Sequence, residues 1–405
     1  MRLTLFLPHL AVTGGLGVHC RCLLDALLRT AHFDDRLTVL APADPKQLFP
    51  NSGLDDGARP LLADPRVALV PVEWPADHPL SLSLDRPLAS AVRNSRPDIV
   101  YASYYTGFAD PPVPQVVTFH DAGFLDFPHV FGDTARQRRE TLATVAPRIA
   151  TLHCISADAR ERICRLLPFD PAKTAVVWHG LADSPQDLAT ARNPSNEPLW
   201  SEGDRIAEWG DYLFSPVGAA TGFNRVRKNL PIAIEAFRRL EGTHPRVKLI
   251  VASTGVLNER MLGELLPARE WAGGGIVAGA WRSADDRIRV LPNLDRAPFL
   301  RAMAHARAVV YPSRYEGFGF PAIEAMALGV PLLASRATSI PEVAGDAGLL
   351  VNPDRSDEFH DGMRELLSNE SLREDLIRRG RDRVMHFTLE RMGQGMWNLF
   401  RQVLE

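Results

Sequence analysis

The chain has 405 residues, too many for one ordinary hydrophobic core and enough for two domains. Apolar residues make up 45% and charged residues 23%, an ordinary globular balance, and a net charge of −3 offers no global attraction to nucleic acid. Four cysteines (Cys20, Cys22, Cys154 and Cys164) are too few and too badly spaced for a disulfide framework or a zinc site, so they read as reduced thiols of a cytoplasmic protein.

The chain opens on MRLTLFLPHLAV, which superficially resembles a signal peptide. Its apolar run is short, is broken by Pro8 and His9, and leads into a glycine-rich loop, so a first buried strand over residues 3–7 is the better reading. Short apolar runs then alternate with helical patterns, which signals parallel sheets with crossover helices. Strands are expected over residues 37–41, 99–102, 116–119, 151–155 and 175–178, and helices over 18–28, 84–93, 134–149 and 157–167, the last capped by Ser156. The rhythm breaks over residues 182–208, rich in Asp, Asn, Pro and Ser, which reads as a linker.

Beyond it the rhythm restarts. Strands are expected over 212–217, 248–252, 288–291, 308–311 and 331–334, and helices over 230–240, 299–306 and 321–328 before a mostly helical end. No stretch approaches the roughly 20 apolar residues of a membrane span. Two doubly wound α/β domains in tandem are therefore expected, residues 1–190 and 191–385, with ligands in a cleft at the carboxyl ends of their strands. The twelve histidines look scattered and show no metal-ligand pairing, so no metal is expected.

The most informative stretch is VVYPSRYEGFGFPAIEAMALGVPLLASRATSIPEVAGDAGLLVNP, residues 309–353. A buried strand ends at Tyr311 and Pro312, a loop with Gly317 and Gly319 follows, and Pro321 opens a helix that Gly329 stops. Glycines before a helix let a ligand approach the backbone, and the unpaired N–H groups of the helix start suit a phosphate. Glu316 and Glu324 bracket that spot. Carboxylates so close to a phosphate site suit hydroxyls instead, and a nucleotide sugar carries them on both its ribose and its sugar. A plain helix start with acids complementing the dipole is the alternative.

These residues resemble the signature of glycosyltransferase family 4, within the GT-B fold, almost residue by residue. The resemblance implies two Rossmann-like domains facing across a deep cleft. The first would bind the acceptor, the second the donor, and a final helix over 386–405 would pack back on the first. It implies that Glu324 binds ribose hydroxyls, and that Glu316 with Gly317, Phe318, Gly319 and Phe320 contacts the donor sugar and phosphate. Upstream, FSPVGAATGFNRVRKNLPIAIEAFRRL looks like the family's strand, loop and helix with a basic pair, Arg227 and Lys228. Fixed cations there would stabilise a departing diphosphate without a metal. Arg225 competes with Arg227 for that role.

In the first half the resemblance is looser. Gly14, Gly15 and Gly17 look like the family's loop facing the donor phosphates; as a dinucleotide fingerprint they fail on spacing, having no third glycine in register. His120 and Asp121 end a strand, and the matching histidine of the family approaches the donor sugar. Arg136, Arg138, Arg139 and Arg148, then Arg160, Arg162 and Arg165, make a basic face over 134–167. Such a face is usually solvated, or leans on anionic lipid or a phosphorylated acceptor. The expected activity is retaining, metal-independent transfer from a nucleotide-diphosphate sugar to a glycan or lipid-linked acceptor in surface-polysaccharide assembly. GDP-mannose is the first donor and a UDP-hexose the second. No further cofactor and no nucleic-acid partner are expected. An epimerase or hydrolase of the same fold, and a non-catalytic nucleotide-sugar binder, are the rivals.

Overall fold

A computed structural model of the chain describes residues 1–12, 15–48, 57–78, 82–167, 169–193, 199, 205–217, 223–253, 260, 262–263, 266–268, 270, 274–277, 280–291 and 294–405, the side chains of 223–225 and 277 excepted. It divides into two compact units: Met1–Ala182 with Phe387–Glu405, and Asp183–His386.

In the first unit, strands β1 (Arg2–Phe6), β2 (Arg36–Pro42), β3 (Val67–Val72), β4 (Ile99–Ala102), β5 (Gln115–Phe119), β6 (Ile149–Cys154) and β7 (Thr174–Val176) form a parallel sheet. Its order is β3-β2-β1-β4-β5-β6-β7. Every residue of β4 and β5 is buried, as expected of parallel strands covered on both faces. The order reverses between β1 and β4, and ligands bind outside the strand ends at such a reversal. The half-exposed edge strand β3, VALVPV with Pro71, was not expected; proline and weak alternation suit an edge and hide it from periodicity.

Among the helix bounds that differ from expectation, two bear on the site or its sheet. The first helix is Gly15–Thr30, so Gly15 and Gly17 lie within its first turn and not in a loop before it. A Cβ on Gly17 would stand 1.9 Å from the carbonyl oxygen of Val12, so glycine is required where the helix turns back on its approach. Residues 134–149 do not form one helix. It runs Asp133–Val145, because Pro147 cannot continue the ladder, and Ile149 starts β6. The last helix, Leu389–Leu404, packs against Gly15–Thr30, and Trp397 Nε1 donates to the Leu27 carbonyl at 3.1 Å.

The second unit holds β8 (Tyr212–Pro216), β9 (Lys248–Ala252), β10 (Gly275–Val277), β11 (Ala280–Arg282), β12 (Ile288–Leu291), β13 (Ala308–Tyr311), β14 (Leu332–Ser335) and β15 (Gly348–Val351). The order is β10-β11-β12-β9-β8-β13-β14-β15, parallel from β12 onward, with β10 and β11 antiparallel at one edge. The reversal here lies between β8 and β13.

The expected boundary at residue 190 moves to 182. The polar stretch after it contains a helix, Pro185–Arg192, opened by a capping box between Ser184 and Asp187. Arg192 donates to the carbonyls of Ala327 and Leu328, which ties that helix to the second unit.

Candidate functional site

Because β8 and β13 are neighbours across the reversal, whatever follows each strand meets above the sheet. After β8 the chain enters the helix Phe223–Lys228, and after β13 it enters the loop carrying Glu316. Lys228 Nζ donates to Glu316 Oε1 at 2.8 Å, and Arg227 donates to Oε2 at 3.1 Å. Lys228 is 8% exposed and Glu316 is 6% exposed. Lys228 Nζ also stands 5.5 Å from the centroid of the Tyr311 ring.

The backbone around this trio is held in place. Asn229 sits in the left-handed region (φ 53°), and its amide donates to the carbonyls of Pro312 and Pro353 at 3.0 and 2.7 Å. The Arg314 amide donates to the Arg227 carbonyl at 2.7 Å, joining the two segments directly. On the far side Thr338 accepts the Glu316 amide at 2.9 Å. Thr338 has φ 47°, a conformation that costs a β-branched residue about 1–3 kcal/mol. The Ser339 hydroxyl lies 2.9 and 2.8 Å from the carbonyls of Glu316 and Phe318.

Burial alone would push the Glu316 carboxyl up, but Arg227 and Lys228 outweigh it and hold Glu316 at about 2. Burial lowers the Lys228 ammonium, and Glu316 works against that. Two cations on one carboxylate leave a net positive charge. Beside it the helix Phe320–Leu328 begins, entered through Gly319 at φ 112° and closed by Gly329 at φ 69°. Gly317 and Phe318 are buried, and Phe318 lies 5.5 Å from Phe320, ring to ring.

Glu324 is the fifth residue of that helix, just past its first turn. It is buried, and it accepts from Arg296 at 2.6 Å. Arg296 also grips Asp183 through two bonds of 2.9 and 2.5 Å. Burial raises the Glu324 carboxyl; Arg296 opposes this and Asp183 adds to it, leaving it above its ordinary value. Neither Arg296 nor Asp183 was expected from the sequence. Thr338 and Ser339 were also missed, although they stand inside the quoted motif.

The residues picked in the first half lie in the first unit. Gly14 lies outside the described residues, as does the side chain of Arg225. His120 ends β5 as expected, but it is buried and its Nε2 donates to the Ser103 carbonyl at 2.7 Å. Asp121 serves a local turn, accepting the Gly123 amide at 2.8 Å. The partners of His120 are other histidines. Ring nitrogens of His19, His120 and His179 all lie within 4.8 Å of one another, which corrects the reading of scattered histidines. The Nδ1 atoms of His19 and His179 share a 3.2 Å hydrogen bond. Burial lowers His120 to about 4, so the ring is neutral at neutral pH.

Comparison with known proteins decides the family. Residues 13–184 match the model described as Glycosyltransferase Family 4, and residues 282–383 match that of Glycosyl transferases group 1. The chain belongs to glycosyltransferase family 4. An Escherichia coli relative, O-antigen chain mannosyltransferase B, is 29% identical over 277 residues, 68% of this chain and 67% of its own length. The Mycobacterium tuberculosis glycogen synthase is 25% identical over 273 residues, 64% of this chain and 58% of that protein. The fold of this family 4 glycosyltransferase is GT-B. An Anabaena HepE structure in complex with UDP-glucose superposes with a TM-score of 0.68, covering 99% of this chain and 100% of that one at 16% identity.

The basic face over 134–167 is partly neutralised. Arg136 pairs with Asp133 and Glu140, and Arg162 pairs with Asp126 and Asp158. Among the described residues no helix is long and apolar enough to cross a membrane.

Proposed function

We propose that this glycosyltransferase moves a mannosyl group from GDP-mannose to a glycan or lipid-linked saccharide, with retention at the anomeric carbon and without a metal. The observation that carries this reading is the pairing of Lys228 and Arg227 on Glu316 above the strand reversal of the second unit. A diphosphate brought to that point meets two fixed cations and a helix start. Both act where negative charge grows as the glycosidic bond breaks.

The ionisation of Glu316 bears on the chemistry. A carboxylate held at about 2 is a poor base at neutral pH, so it does not take the proton of the acceptor hydroxyl. In the step that fits, the bond from the anomeric carbon to the diphosphate oxygen breaks and its electron pair stays on that oxygen. The acceptor oxygen bonds to the anomeric carbon on the same face, and its proton passes to the departing phosphate oxygen. Glu316 orients the sugar hydroxyls and Glu324 the ribose. Burial keeps His120 of the first unit neutral, which suits its ring to a sugar hydroxyl.

The name of the Escherichia coli relative supports mannose, and the UDP-glucose in the HepE structure supports a UDP-hexose as the second reading. Thermal denaturation with a panel of nucleotide sugars separates them. Under this proposal GDP-mannose raises the melting point most, by mass action, and UDP-glucose least. A silent GDP-mannose sample removes the mannosyl assignment. Proton NMR of the product then reads the anomer, and incubation without acceptor exposes an epimerase or hydrolase.

A further inference from the structure

The reversal point of the first sheet carries a second cation, of a different kind. Arg138, on the helix Asp133–Val145, lies half-buried over three aromatic rings. Its guanidinium carbon is 5.1 Å from the centroid of Tyr104, 5.2 Å from Tyr105 and 5.5 Å from Phe124. Tyr104 and Tyr105 follow β4, and Phe124 follows β5. His9, which follows β1, packs on Tyr104 with centroids 4.9 Å apart. The cage therefore stands over the carboxyl ends of β1 and β4, where the strand order turns and an open sheet binds ligands.

The guanidinium donates to the Tyr104 hydroxyl, and among the described residues its buried Nε–H has no hydrogen-bond partner. Among the described residues no carboxylate pairs with it. Its neighbour Arg136, two residues away, is spent on Asp133 and Glu140. Charged groups withdrawn from water are normally paired, and a guanidinium presents a planar fork suited to an oxyanion. Aromatic faces hold the fork flat and cannot replace an anion. His9 does not supply competing charge, because burial and the nearby His120 and Arg138 keep it neutral, at about 3.

We infer that Arg138 in its Tyr104–Tyr105–Phe124 cage binds an oxyanion of the acceptor, so that the acceptor is a phosphorylated or carboxylated saccharide and not a neutral one. This rests on the reading of the chain as a transferase whose first unit takes the acceptor.

The test is calorimetric binding of mannose 6-phosphate, glucuronate and neutral methyl mannoside to the full chain. It is run in a Lys228→Met/Glu316→Leu background, which weakens phosphate capture at the donor site without leaving a buried charge unpaired. Mannose 6-phosphate or glucuronate is expected to bind at least tenfold more tightly than methyl mannoside, and whichever binds tighter names the oxyanion. Adding Arg138→Met is expected to remove that preference, with Arg138→Lys, which keeps the charge and loses the fork, falling between. Equal binding of charged and neutral sugars, no binding of either anion, or a preference that survives in a folded Arg138→Met protein overturns the inference. Should Arg138→Met fail to fold, the Arg138→Lys titration decides alone, and an unchanged preference overturns it. GDP-mannose affinity is measured separately in the Arg138→Met protein with Lys228 intact. Its absence there and in the unmodified chain sinks the donor reading without touching the Arg138 result.

Discussion

The ammonium of Lys228 and the carboxylate of Glu316 lie 2.8 Å apart in a setting with almost no access to water. Removing one member leaves the other charged and buried, which typically costs about 3–5 kcal/mol, whereas exchanging both for apolar residues of similar size is often neutral. Glu316→Ala is therefore expected to be strongly destabilised, and the Lys228→Met/Glu316→Leu double variant to recover most of the loss. Transfer should fall by at least about a hundredfold in both, since the functional charge is absent from both. Urea denaturation alongside a transfer assay checks this; a double variant with near-normal transfer would contradict the site.

Acid should weaken the fold in two stages. His9, His120 and His153 are lowered by burial to about 3, 4 and 4, below the ordinary value of 6.5. The unfolded chain binds their protons first, so stability is lost as pH falls from about 6.5 toward 4. Glu316, depressed to about 2 against 4.5, contributes stability that is full above about 4.5 and lost only below it. Urea midpoints measured from pH 7 to pH 3 should decline across the histidine window, and more gently so in His153→Gln. A flat profile between pH 6.5 and 5 would rule out the neutral histidine cluster.

Much of this arrangement could be read from the chain, and the unread parts share a cause. Glu316, Lys228 and the glycines before Phe320 sit in short, locally patterned segments, where spacing and backbone chemistry carry the signal. Arg296 holds Glu324 from 28 residues away in sequence, and Asp183 holds Arg296 from 113 residues away. His19, on the helix Gly15–Thr30, likewise meets His120 and His179, which follow β5 and β7, only through long-range packing. Long-range convergence leaves no local period to detect. The strands β3, β10, β11 and β15 were missed for another reason: each lies at or beside a sheet edge, where burial on both faces no longer imposes an apolar run.

The last helix depends on one absent side chain. A Cβ on Gly393 would stand 2.1 Å from the Ala26 carbonyl oxygen and 2.2 Å from Thr30 Oγ1. Gly393→Ala should force the two helices apart and cost about 1–3 kcal/mol, more than any gain in helix propensity. Thermal denaturation reads the loss. A variant as stable as the parent would mean that the helices do not approach so closely.

Glu324 is assigned to the ribose, away from the bond that breaks. Glu324→Gln should raise the donor KM about tenfold with little change in kcat, because the lost contact serves ground state and transition state alike. It should weaken free GDP to the same extent. Steady-state kinetics with the donor varied checks this, and a fall in kcat at unchanged KM would move Glu324 to the reacting centre.

The central claim is that Arg227 and Lys228 receive the donor diphosphate while Glu316 holds them ready. Isothermal titration of GDP-mannose into the parent chain and into Lys228→Met measures this most directly. The account predicts a clear binding isotherm for the parent and at least about a tenfold loss of affinity in the variant, in keeping with one charge-assisted bond of about 1.5–3 kcal/mol. Equal affinity in the two proteins would contradict it.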